Sequence, residues 1–270
     1  MGRALLLACL VGCAGAEAMT AQDPVQPATV AVVEEPALGL NPGETMAFEV
    51  HLAGMLAGEA QLAVGEIGIV DGKEVVVVRS RAATAGAAAL IKKISDEATT
   101  VIDVATGMPI SLDAIIVNGD KRLTATARFQ GSRADVTYQR ASDPQPKHLI
   151  LNFGNTTVFD AHTAMAQLRG WKAKKGDERT VYVIGGRRLW RIDVVHEGEE
   201  TIGGPLGNRR AVVYSGKSYR ARPNMQLEAQ KAARTFKVWL SDDGDRVPIK
   251  VVAATELGDI VLELTDYQRP

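Results

Sequence analysis

The residue types able to do chemistry are few in this chain, and their spacing is poor for it. Four histidines, His51, His148, His162 and His196, stand far apart, and no pair has the HxH or HExxH spacing that brings two imidazoles onto one metal. Ser80, Ser95 and Ser111 fall in or near strand-like stretches, with no GxSxG elbow and no SxxK around them. Asp242, Asp243 and Asp245, with Gly244 between, have a superficial likeness to a calcium loop. The flanks KVWL and VPIKVV are strand-like, however, and the twelfth position from Asp242 is Ala253 rather than Glu, so a hairpin turn is expected. Asp96, Glu97 and Asp103 could present carboxylates as a glycosidase does, but no aromatic sugar platform lies near them, and solvated faces and turn contacts are expected instead. Gly185-Gly186 and Gly203-Gly204-Pro205-Leu206-Gly207 do not lead a strand into a helix, and read as turns rather than phosphate cradles. No catalytic residue, metal ligand or cofactor is therefore assigned.

The two cysteines, Cys9 and Cys13, sit in the apolar start of the chain. Met1-Gly2-Arg3 is a minimal basic start, and Ala4 to Gly12 reads ALLLACLVG, far too short to span a bilayer and of signal-peptide length. Two cleavage readings stay open. Leu10-Val11-Gly12-Cys13 has the residue types of a lipoprotein signal, in which Cys13 is lipidated and becomes the new N-terminus. Ala16-Glu17-Ala18 satisfies the small-x-small rule of ordinary signal cleavage. The lipoprotein reading is preferred, and with Ala14 after the cysteine it implies sorting to the outer membrane of a Gram-negative envelope. Either way the folded part has no thiol for a disulfide or a nucleophile.

The organisation follows. Residues 1–18 (or 1–12) are the signal, and 19–41 a flexible linker rich in proline and alanine, with four of the eleven prolines between Pro24 and Pro42. Residues 42–268 form a single domain. It is 46% apolar and 23% charged over the whole chain, as a globular protein is. Thirty-one basic against thirty-two acidic side chains and 5% aromatics argue against nucleic acid as a partner.

Period-2 alternation positions the domain's residues. Phe48, Val50 and Leu52 share one face, as do Ala60, Leu62 and Val64, then Leu123, Ala125, Ala127 and Phe129, then Phe236, Val238 and Leu240, then Ile260, Leu262 and Leu264. Val75–Val78 is apolar on both faces and should be central. Asp71-Gly72 and Asn118-Gly119 predict two-residue hairpin loops. Roughly thirteen strands are expected, with short helices at Ala85–Ile91 and Asp160–Leu168. The second has Asp160 as N-cap and Ala161, Met165 and Leu168 on one face, and Trp171 is expected to pack it onto the sheet. The fold class is mainly β: a long antiparallel sheet curved into a barrel, half-barrel or large sandwich. Trp190, Trp239, Phe48 and Phe236 are candidates to line a ligand cavity between sheet and helix. Arg169 with Asp160, and Arg187-Arg188, read as exposed ion pairs, and Lys217–Lys231 reads as a basic insertion.

Several blocks carry a family resemblance: Pro42-Gly43-Glu44, FEVHLAGMLAGEAQLAV (Phe48–Val64), Asp103 with Pro109, FDAHTAMAQLRGW (Phe159–Trp171), and KVWLSDDGDRVPIKV (Lys237–Val251) with Gly258. Together they resemble the exported bacterial proteins grouped as "domain of unknown function 3108", over about residues 42–267. The resemblance implies an exported, β-rich protein and transfers no functional residue. The expected function is that of a non-catalytic cell-envelope protein in the periplasm or anchored to the outer membrane. It would bind or carry an apolar or polymeric ligand, such as a polysaccharide, with a structural or interaction protein tethered to the outer membrane as the alternative and an envelope polymer hydrolase third.

Overall fold

The computed structural model describes residues 38–228 and 232–270. The export signal, Cys13 and almost all of the linker lie outside the described residues. Within them the chain forms β1 (Thr45–Leu52), β2 (Met55–Val64), β3 (Gly68–Val70), β4 (Lys73–Thr84), α1 (Gly86–Ile91), β5 (Ile94–Asp103), β6 (Pro109–Asn118), β7 (Lys121–Gln130), β8 (Arg133–Arg140) and β9 (Lys147–Asn152). It continues with β10 (Val158–Asp160), α2 (Ala161–Gly170), β11 (Glu178–Gly185), β12 (Arg188–Ile202), β13 (Arg209–Ala221), β14 (Arg234–Ser241), β15 (Pro248–Thr255) and β16 (Gly258–Gln268). All the strands belong to one sheet, ordered β10-β11-β12-β13-β14-β15-β16-β1-β2-β4-β5-β6-β7-β8-β9, with β3 added to β4. Every pairing is antiparallel except β10 with β11.

The sheet is mostly a meander because its sequence alternates. Along β4, Val76, Val78, Ser80 and Ala82 turn inward and are buried, while Arg79 and Arg81 turn outward. The same rule places Phe236, Val238 and Leu240 inside. Curvature brings distant strands together around α2. Neighbouring residues of β11 then serve two cores: Val183 joins the main cluster with Trp190, Ile192 and Phe236. Ile184 joins a second with Leu112, Val136, Leu151 and Val158. The sheet is thus a barrel-like roll that does not close by hydrogen bonds, β9 and β10 remaining its two ends.

The structure refines three expectations. Sixteen strands form among the described residues rather than about thirteen, the excess coming from short pieces such as β3 and β10 that carry too few residues for a period. The β3–β4 loop has positive φ at both Asp71 (50°) and Gly72 (76°), as the dipeptide demands, but the β6–β7 loop is Gly119-Asp120, with positive φ at Gly119 only. Lys217 and Arg220 lie within β13, opposite Asp193 and Trp190 on β12, so the first five residues of the supposed basic insertion, Lys217–Ala221, are strand.

Candidate functional site: a helix plugged into the roll

Helix α2 begins at Asp160, whose carboxylate accepts from the backbone N–H of Thr163 (3.0 Å) and His162 (3.4 Å). The Thr163 hydroxyl in turn accepts from the Asp160 N–H (3.0 Å), completing a reciprocal cap. The helix ends at Trp171, whose ring stacks on Tyr214 with centroids 5.4 Å apart, and the Tyr214 hydroxyl donates to the Trp171 carbonyl (3.2 Å). One helix face carries Ala161, Met165 and Leu168 toward β11, β12 and β14; another carries His162 toward β4 and β5.

His162 is the centre of a buried polar chain. Its Nε2 lies 2.8 Å from Ser80 Oγ on β4, and its Nδ1 lies 2.7 Å from Thr100 Oγ1 on β5. Thr100 also hydrogen-bonds Asp160, whose Oδ2 is 3.6 Å from Nδ1. The proton count fixes the directions. A carboxylate only accepts, so Thr100 donates to Asp160 and must itself accept from His162 Nδ1–H. Nε2 is then bare and accepts the Ser80 hydroxyl. Burial holds the His162 pKa below its ordinary value against the opposing charge of Asp160, so the ring is neutral at neutral pH.

Serine on Nε2 and carboxylate behind Nδ1 is the order of atoms in a hydrolase triad. The serine hydroxyl, however, is committed to the histidine inside the roll. Ser80 is 5% exposed and its hydroxyl points into the roll, where the space around it is filled by α2. The arrangement therefore acts as a polar staple between helix and sheet.

A second buried group holds the other end of the helix. Arg169 presents its guanidinium fork to both carboxylate oxygens of Glu44 and donates Nε (3.1 Å) and Nη2 (2.8 Å) to the Asp245 carbonyl. Glu44 also accepts from Tyr267 (3.2 Å) and from Asn41. Burial first, and then the charges of Glu44 and Asp245, push the Tyr267 phenol up to about 12, so it remains a donor. The expected exposed pair of Arg169 with Asp160 is thus corrected. Arg169 is 5% exposed and its partner is Glu44, because the helix turns that side inward.

Between α2 and the sheet runs an apolar cavity of about 40 Å³, lined by Met165, Leu168, Val181, Val183, Ile192 and Phe236 among others. Of the four candidate lining residues, only Phe236 is on its wall. Phe48 and Trp190 are buried in the main core, and Trp239 faces the opposite side of β14, where its indole N–H donates to Glu200. A larger concavity, about 610 Å³, lies on the outer face of β1, β2, β4 and β5. Its lining combines the small residues Thr45, Ala47, Ala63 and Thr99 with the longer Gln61, Arg79, Arg81 and Glu97 and with Asp266. Arg81 pairs with Glu97 (3.4 Å), while Arg79 has no ion-pair partner among the described residues.

The remaining sequence candidates do not converge. His51 sits 3.8 Å from Glu49 and His148 3.0 Å from Thr137, both near the surface. His196, expected on a polar face, is buried against Tyr214 with centroids 5.1 Å apart, because β12 turns it inward with Trp190 and Ile192. Asp96 and Glu97 are successive strand residues and face opposite sides. Asp103 caps the β5–β6 turn through Thr106, and Asp243 accepts from Ser241 and from the backbone of Asp245 and Arg246.

Comparison with known proteins agrees with this geometry. The family described as "Protein of unknown function (DUF3108)" matches residues 47–265. This chain belongs to that family. The blocks that carried the resemblance are those that hold α2: Glu44 from the first, and Asp160, His162, Arg169 and Trp171 from the fourth. Among solved structures, the chain is similar to a β-barrel-like protein of domain of unknown function DUF1849 from Brucella abortus. Identity is 10% and the TM-score 0.57, covering 86% of this chain and 99% of that one, which establishes a shared fold. An exported protein with a YmcC-like fold from Bacteroides fragilis aligns at 9% identity and TM-score 0.39, over 87% of this chain and 100% of that one. The Escherichia coli lipoprotein YmcC aligns at 11% and 0.31, over 85% and 86%. No curated protein matches the chain.

Proposed function

We propose that this chain is a non-catalytic protein of the bacterial cell envelope that binds a polymeric, acid-bearing ligand on the outer face of its sheet. The observation that carries the reading is the contrast between its two spaces. The apolar cavity beside α2, at about 40 Å³, has room for about one water. That is far below the roughly 300–1,000 Å³ of a ligand pocket, which favours the polymeric branch of the expectation over the apolar one. The outer concavity, at about 610 Å³, lies in that range, is open and offers both polar and apolar lining. Arg79 supplies a guanidinium with no charged partner among the described residues, suited to a carboxylate or phosphate. Gln61, Thr45 and Thr99 add neutral donors and acceptors. The signal-like start and Cys13 support an envelope location and a lipid anchor.

Co-sedimentation of the full chain with purified cell-wall sacculi tests this. The native protein should pellet with the polymer, and R79E/R81E should lose most of the bound fraction while melting at the native temperature. Equal pelleting of the two proteins, or none of either, would refute the site.

A further inference from the structure

A different surface, at one end of the roll, has the character of a lipid-contacting rim. Leu90 and Ile91 close helix α1 and are 90% and 88% exposed. Met55 and Leu56, at the β1–β2 turn, and Leu257, at the β15–β16 turn, are exposed beside them. Backbone bonds join these loops: Ala85 N–H donates to Ala57 O (3.1 Å), and Ala53 N–H to Asp259 O (3.0 Å). Five large apolar side chains in water on adjoining loops are costly without a partner.

The charges around them say what the partner is. Lys92 and Lys93 follow Ile91 directly, and Gly119 N–H donates to Lys93 O (2.8 Å), which brings the β6–β7 turn with Lys121 and Arg122 alongside. None of these four cations has an ion-pair partner among the described residues, and the nearby acids on these loops are Asp120, Glu256 and Asp259. The other exposed apolar group, Ile67, Ile69 and Val70, lies toward the opposite end of the strands, among Glu66, Asp71 and Glu74, with Lys73 already near Asp103 (3.9 Å). Only the first group combines protruding apolar side chains with unneutralised cations.

We infer that the rim formed by Met55, Leu56, Leu90, Ile91 and Leu257, skirted by Lys92, Lys93, Lys121 and Arg122, docks onto the surface of an anionic phospholipid bilayer. The apolar side chains enter the boundary between headgroups and acyl chains, and the lysine and arginine heads stay at phosphate level. This contact is separate from the outer concavity. It is also separate from a lipid on Cys13, because the chain enters the roll at the far end, where Gly39 lies against Ala166 and Gly43 near Glu66.

The test places a reporter on the rim itself. In the full chain carrying L90W, the introduced indole should be quenched by brominated lipid in vesicles containing phosphatidylglycerol, beyond the quenching seen in the unsubstituted chain, whose three tryptophans are buried. Adding K92E/K93E should weaken vesicle affinity by about tenfold or more. Pure phosphatidylcholine should give little quenching. Unchanged quenching on adding brominated lipid would overturn the proposal. So would a dimer in analytical ultracentrifugation that L90D/I91D dissolves, since a second copy would then own the rim.

Discussion

Burial keeps the His162 imidazole from taking a proton, and the Ser80–His162–Thr100–Asp160 chain depends on that neutral form, with Nε2 bare. In the unfolded chain the ring titrates near 6.5, and in the folded chain lower. The unfolded state therefore binds the proton first. The stabilisation is complete above about pH 6.5 and is lost as the pH falls from there toward the folded value. Urea unfolding at pH 7.5 and 5.5 should show a larger loss for the native protein than for H162Q, and equal losses would contradict the bonding scheme. The same scheme makes Ser80 a donor committed to His162. S80A should cost about 1–2 kcal/mol by leaving Nε2 unpaired, and a fluorophosphonate probe should leave Ser80 unlabelled in the native state. Labelling at Ser80 would favour the hydrolase reading. These residues had a signal in the sequence. Ser80 is a single polar residue between Val78 and Ala82 on an apolar inward face, Thr100 shares the inward face of β5 with Ala98, Ile102 and the buried Asp96, and Asp160, His162 and Thr163 crowd a helix start. Each chain position was readable, but their meeting requires β4 and β5 to lie beside α2, which no local spacing encodes.

At the scale of elements, the strands and α2 were legible because alternation and an N-cap are local signals. The parallel β10 was not, since three residues carry no period. Nor was the place of α2 inside the roll, because the helix's polar residues read as a solvent face until their partners are known. The close fit of that helix has its own test. Gly39 has φ +59° and packs against the Ala166 carbonyl, so a Cβ there would overlap the oxygen. Gly54, with φ +82°, has nothing within 4 Å. G54A should cost only backbone strain, about 1 kcal/mol, and G39A about 2 kcal/mol or more. Thermal melts of the two variants side by side would show whether the segment before β1 is wedged against the helix.

For the whole molecule, the Glu44–Arg169 pair ties together segments far apart in sequence: the approach to β1, the end of α2, the β14–β15 loop through Asp245, and β16 through Tyr267. Breaking a buried pair leaves an uncompensated charge. E44Q and R169M should each cost about 3–5 kcal/mol, and the double variant clearly less than their sum. Additive losses in denaturant melts would mean the two groups act independently. The sequence placed both residues in shared blocks but paired Arg169 with Asp160, because Asp160 is near in the chain and Glu44 is near only in space.

β1 finds its neighbours on both sides of the chain's history: β2, which follows at once, and β16, which is made last. Until β16 emerges, β1 and β15 each present a bare row of amides and carbonyls to any passing strand. A polypeptide delivered to its compartment in order from its N-terminus would spend that interval vulnerable, and the long wait for a distant partner predicts slow maturation. The strand order itself therefore makes that interval the point at which strand-to-strand misassociation is expected.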